Sequence, residues 1–412
     1  MNPFYSGLPT ASMLFIQTPI KKSGFVALSP PAHHAGKQAT SVFTPVETPK
    51  KGSLGTYTKS PATRSNRYHL QSVARRLLPA HRVSNCLRKR INKSESVKIL
   101  ISEYAAHYAN LQHCGSVWAC PVCAAKISEK RRRELAEAIL THRATGGEVY
   151  LMTLTNPHHK SSSLKGLLDG QKQALRSFFS GTRASKAIFE SMGRIGHIRA
   201  LELTHGANGW HPHYHILVFV KAKLSDEHFS AVRDDLARLW QRSCTKAGLP
   251  QPSMQHGLDL RDGSYADKYV GKWGLAEEMT KAHVKKGTVA SRTPWDLLRS
   301  ASDGDIQAGK LFQEFVVVFK GARQLSWSRG LRKTLGLENE TTDQDIVDTP
   351  ETEAKLLFEL NIVQWAAVCA QDMRAELLRA AEKDIKIALE VVRCCVLMTT
   401  DDMCLSATAI YT

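Results

Sequence analysis

The segment His211-Pro212-His213-Tyr214-His215-Ile216-Leu217-Val218 limits what this chain can fold into more than any other stretch. Tyr214–Val220 (YHILVFV) reads as a strand, and alternate residues of a strand share a face. His213 and His215 therefore point one way, and Tyr214, Ile216 and Val218 the other. Two imidazoles side by side on a rigid strand are a candidate divalent-metal pair. Pro212 has no N–H to give a ladder, so it belongs at a strand start or an edge, which makes His211 the weaker ligand. Ile198–Thr204 (IRALELT) reads as the partner strand, joined through the turn-rich Gly206-Ala207-Asn208-Gly209. Glu202 lies across that hairpin. An acid within an apolar alternation costs stability unless it has a partner. As third ligand it would shift the site towards Mg²⁺ or Mn²⁺; His205 is the weaker alternative. An isolated HxH is also what a chance or purely structural histidine cluster looks like, so the reading needs a second signal.

That signal is Ser264-Tyr265-Ala266-Asp267-Lys268-Tyr269-Val270-Gly271-Lys272, overlapping Tyr265–Met279, which reads as a helix. Tyr265 and Tyr269 are four apart and share a helix face, with Lys272 three further on. A phenol, with a pKa of about 10, is a poor nucleophile at neutral pH. A nearby metal and a lysine can favour the phenolate or stabilise charge on a phosphate under attack. The alternative is an i,i+4 aromatic pair packed in a core.

Of nine cysteines, three cluster as Cys114-x5-Cys120-x2-Cys123. Cys86, 28 residues before Cys114, can complete a Cys₄ site, with His107 and His113 as substitutes. Four protein ligands leave no open position, so such a site is expected to hold structural Zn²⁺. A reducing, cytoplasmic setting fits this pattern better than disulfides do.

The formal charge is +18, from 56 Lys+Arg against 38 Asp+Glu. From Glu338 on there are 15 acids and 6 bases, so the preceding part is more basic still, near +27. A body this cationic suits a polyanion, DNA or RNA. Lys126, Lys130, Arg131 and Arg132 after the cysteines, and Arg329 and Arg332 near Trp327, are candidate DNA contacts; a solvated helix face is the plain alternative for the first group. No run of about 20 apolar residues predicts a membrane span.

Residues 1–66, with Glu47 their only acid and no sustained periodicity, are expected to be a disordered basic arm. Residues 67–143 read as a cysteine-rich zinc- and DNA-binding module, 144–337 as a nuclease domain and 338–412 as an acidic helical segment. Within them Glu148–Thr155, Ile198–Thr204, Tyr214–Val220 and Phe312–Lys320 read as strands, and Ser163–Ser180, Ser225–Lys246 and Glu351–Met398 as helical. The expected fold class is α+β: an antiparallel sheet flanked by helices, with the cysteine module upstream and helices at the C-terminal end.

Taken in order, these motifs resemble the plasmid rolling-circle replication initiators, the Rep proteins of the HUH endonuclease superfamily. Leu151-Met152-Thr153-Leu154-Thr155-Asn156 is similar to that family's first motif, Gly209–His215 to its metal motif and Tyr265–Lys272 to its nucleophile motif. Cys114–Cys123 resembles its upstream cysteine motif, and Trp327–Arg332 a segment after its core. The resemblance covers roughly residues 70–335. It implies that Tyr269 is the principal nucleophile, that His213, His215 and Glu202 hold Mg²⁺ or Mn²⁺, and that a 5′-phosphotyrosine link starts rolling-circle replication in a bacterial cytoplasm. Where one branch of the family has a glutamate this chain has Tyr265, as either a second nucleophile or a packing residue. The partners implied are origin DNA, duplex and single-stranded, with helicase, polymerase and single-strand-binding protein from the host; oligomerisation is open. No G-x-x-x-x-G-K-[ST] loop occurs. A transposase or relaxase of the same chemistry, and a non-catalytic zinc-dependent DNA-binding regulator, are the competing readings.

Overall fold

In a computed structural model the chain is described over residues 61–103, 105–180, 182–272, 291–350 and 353–408. The expected arm falls outside these residues as far as residue 60, and helix α1 (Pro61–Leu77) begins within its last part. The strands are β1 (Val97–Ser102), β2 (Ala105–Ala109), β3 (Glu148–Leu154), β4 (Arg194–Gly206), β5 (Gly209–Val220), β6 (Leu258–Arg261), β7 (Leu325–Trp327) and β8 (Lys355–Leu360). After α1 come α2 (Pro121–Ala144), α3 (Leu164–Ser180), α4 (Arg183–Ser191), α5 (Asp226–Lys246), α6 (Gly263–Lys272), α7 (Pro294–Ser302), α8 (Ile306–Val318), α9 (Leu331–Thr334), α10 (Asp343–Asp348), α11 (Ile362–Ala370), α12 (Arg374–Lys383) and α13 (Ile385–Thr408). All belong to one compact unit. The fold is the expected α+β arrangement.

The larger sheet has the order β6-β3-β5-β4-β7, antiparallel throughout. Its spine is the β4–β5 hairpin, whose register pairs Gly206 with Gly209. Gly209 has φ 86°, and a Cβ there would come within 3.1 Å of the Lys160 Cα, so the turn needs glycine. After His215 the strand runs ILVFV without polar interruption because both faces are covered. One face carries Tyr150, Met152, Ile216 and Val218 into a core shared with α3 and α5. The other carries Leu151, Ile198, Ala200, Leu217 and Phe219 against Leu135 and Ile139 of α2 and Ala266 and Val270 of α6.

Two expected elements differ. Phe312–Lys320, read as a strand, lies mostly in helix α8. Phe312, Phe315, Val316 and Phe319 recur at helical spacing and are buried, and Asp305 caps the helix by accepting from the Ala308 N–H. Packing of Phe315 and Phe319 on Trp118 overrode the β-propensity of the valine run. Within Glu351–Met398, read as helical throughout, Lys355–Leu360 is instead strand β8. It pairs antiparallel with β1, completing a three-stranded sheet of order β2-β1-β8. An available strand edge decided a run that periodicity left ambiguous. Helix α6 is described only to Lys272; the rest of its expected length lies outside the described residues. None of the helices in the described residues is long and apolar enough to cross a membrane.

Candidate active site and metal centres

The hairpin register sets Glu202 directly opposite His213, with His215 opposite Ala200. By strand parity all three side chains leave the sheet on the α2/α6 face. Glu202 Oε2 lies 3.4 Å from His213 Nε2 and 3.3 Å from His215 Nε2. Two cis ligands of one ion at about 2.1 Å stand about 3 Å apart, so this set can close on a small hard cation with little adjustment. Burial raises the Glu202 pKa, but hydrogen bonds from His213 and His215 outweigh it and hold the carboxyl well below its ordinary range. His215 Nδ1 is 3.0 Å from Thr153 Oγ1, and β3 pairs Thr153 directly with His215. That contact fixes the ring with Nε2 towards Glu202.

Tyr269 reaches the same carboxylate from α6. Its hydroxyl donates to Glu202 Oε1 over 2.9 Å, and its ring lies 4.8 Å from that of His215. Phenol, carboxylate and two imidazoles thus converge from three elements. Arg143, at the end of α2, ties the tyrosine helix down. It bonds both oxygens of Asp267 at 2.8 Å, the Gly263 carbonyl at 3.0 Å and Glu148 at 3.3 Å. Tyr265 is 41% exposed, so it is not a core packing residue. Its ring stands 5.2 Å from the Arg261 guanidinium and 4.9 Å from Lys268 Nζ. Lys272 is the last residue of α6, and its side chain lies outside what is described.

The four cysteines also converge, and all are buried. Sγ of Cys123 lies 3.5 Å from that of Cys86 and 3.7 Å from that of Cys114, and Cys120 lies 3.7 Å from Cys86. Thiolates about 2.3 Å from a tetrahedral ion stand about 3.8 Å apart, whereas a disulfide needs about 2.0 Å. The cluster therefore could hold a metal such as zinc. Cys120 caps α2 by accepting from the Cys123 N–H, and Gln71 of α1 donates to its sulfur over 3.2 Å. Burial pushes its thiol up, but hydrogen bonds from Cys114, Cys123 and Cys86 prevail and hold it well below its ordinary range.

The candidate DNA contacts separate by environment. Arg131 is 5% exposed and bonds Glu134, Asp343 and the Thr341 carbonyl, joining α2 to the start of α10. Lys126 donates to the Val347 and Thr349 carbonyls. Arg132 makes two bonds to Glu129, and Arg332 lies over Trp327 and bonds the Glu338 carbonyl. These four are engaged within the fold. Lys130 is half-buried and Arg329 exposed. Sequence reasoning missed Thr153, Gln71, Arg143 and Asp267. Thr153 left a trace, as a polar residue inside the apolar LMTL run; the Arg143–Asp267 pair spans 124 positions and left none.

The family model for replication proteins matches residues 106–373, which hold most of both centres. The chain belongs to this family, the Rep initiators of plasmid rolling-circle replication. It is similar to the Protein rep of Streptomyces lividans, with 28% identity over 345 residues, 66% of this chain and 75% of that protein. It is also similar to the Protein rep of Bacillus amyloliquefaciens, with 25% identity over 40% of this chain and 45% of that protein. A protein of Streptomyces cyanogenus named for neomycin resistance shares 31% identity over 28% of this chain and 32% of its own length. No solved structure matches.

Proposed function

We propose that this initiator nicks one strand of origin DNA with Tyr269. The observation that carries the reading is the Tyr269 hydroxyl 2.9 Å from a carboxylate that also faces two histidines. His213, His215 and Glu202 would hold Mg²⁺ or Mn²⁺, which supplies Lewis-acid polarisation of the scissile phosphate. Glu202 keeps the phenol aimed, and Arg143 keeps its helix in place. The Tyr269 Oη–P bond forms as the P–O3′ bond breaks. The phenol gives up its proton as that bond forms and the departing 3′-oxygen gains one, so no proton is gained or lost overall. The phosphotyrosine conserves the ester, and the free 3′-hydroxyl primes synthesis. Tyr265, exposed one turn away between two cations, is assigned the second strand transfer. Lys130 and Arg329 are the retained candidate DNA contacts, and the Cys₄ cluster takes structural Zn²⁺. Helicase, polymerase and single-strand-binding protein are supplied by the host.

The test is a denaturing gel of full-length protein incubated with single-stranded origin DNA and Mn²⁺. The wild type forms a covalent adduct and Tyr269→Phe forms none. An undiminished adduct with that variant would overturn the assignment.

A further inference from the structure

Two arginines on the face of the large sheet opposite Glu202 lack, among the described residues, the anion that a desolvated cation ordinarily has. Arg194 opens β4. Its guanidinium lies 4.0 Å from the Phe189 ring centroid and 5.5 Å from that of Phe179, and its Nη1 is 3.2 Å from His197 Nδ1. Arg199, further along the strand, has its Nε shut off from solvent with no hydrogen-bond partner among the described residues. Burial lowers the pKa of both guanidiniums, and no carboxylate among the described residues offsets it. His197 lies between them, 8% exposed and stacked 3.9 Å from Phe179. Burial, and then the two arginines, hold it down to about 3, so it is neutral and can accept from Arg194.

Arg194 borders a cavity of about 690 Å³ whose walls include Phe179, Thr182, Arg183, Lys186 and Glu190. Glu190 is tied to Lys186 at 3.7 Å. A cation taken out of water without a counter-charge costs stability, and a planar guanidinium beside open space suits a phosphate. Along β4, Arg194 and Glu202 are eight residues apart, about 26 Å by strand rise. The phosphate under attack by Tyr269 cannot be the one bound here.

We propose that this pocket is a second, non-catalytic DNA contact that grips backbone phosphates of duplex flanking the nick site. Arg194 and Arg183 make the contact, and Arg199 keeps the potential positive behind them. The proposal rests on the nicking function described above.

The experiment uses full-length protein and a random-sequence duplex of about 30 base pairs, because phosphate contacts do not read sequence. Binding is measured across a salt series for wild type, Arg194→Met and Arg194→Met/Arg183→Ser. Each lost phosphate contact is expected to reduce the slope of log affinity against log salt by about 0.9, with affinity about tenfold lower at low salt. Arg199→Met is expected to weaken binding while its melting temperature stays level or rises, since an apolar side chain replaces an unpaired cation. Adduct formation on a short single-stranded origin oligonucleotide is expected to be unchanged in all three variants. Unaltered slope and affinity in the double variant, or a lower melting temperature with binding intact, overturns the second contact. Wild type that forms the adduct but binds no duplex overturns this contact alone; wild type that forms no adduct overturns the nicking function.

Discussion

The two candidate metal-ligand clusters of this protein are built on opposite principles. The cysteine site has four like, soft donors, all buried, drawn from segments that are otherwise separate: the chain after α1, the approach to α2 and the α2 N-terminus. The histidine–glutamate site has three mixed donors on one preformed hairpin, partly exposed, with a phenol held against its carboxylate. A closed shell of identical donors can only tie elements together. An incomplete shell beside a nucleophile leaves room for substrate. The hairpin does not depend on an ion for its register, whereas the cysteine segments are joined by few backbone bonds, Leu87 N–H to the Gln112 carbonyl and Gln112 N–H to the Lys89 carbonyl among them, and an ion would add four more ties.

That contrast can be broken first at the cysteines. Cys120→Ser is expected to abolish zinc binding, measured by metal analysis, together with cooperative melting. Structural zinc binding is worth about 10–16 kcal/mol, on the scale of the whole stability of a domain. His215→Ala is the matching test on the hairpin. Adduct formation should fall on the order of 10³-fold, beyond the 10–100-fold typical of outer-shell partners, with the melting temperature within about 2 °C of wild type. If instead His215→Ala unfolds the protein, the two centres are not different in kind. Thr153→Val should reduce activity about 10- to 100-fold and raise the Mn²⁺ concentration needed, because the imidazole loses its orienting partner. The smallest effect is expected from Tyr265→Phe: the first nick stays within about twofold of wild type, and only transfer of the second strand is lost. A first nick that fails in this variant would exchange the roles of the two tyrosines.

The juxtaposition of His213, His215 and Glu202 was legible because it depends on parity and register, and a short glycine-bounded turn fixes both. Tyr269 could be singled out through helical spacing and family resemblance, but its contact with Glu202 needed the α6 packing against β3 and α2 to be seen. Arg131 shows what a sequence hides. Its position in a basic run suggests an exposed cation, yet Glu134, three residues on, and Asp343, over 200 residues away, draw it inside. The same holds for α8, where valines spell a strand until the aromatic rings beside them find Trp118.

The pairing of Val97 with Leu360 has a consequence for biosynthesis. A ribosome must deliver more than 250 further residues after the first of these strands before its second neighbour exists. Until then β1 presents an open edge, which invites pairing with other chains. A product that stops short of β8 therefore cannot finish its smaller sheet.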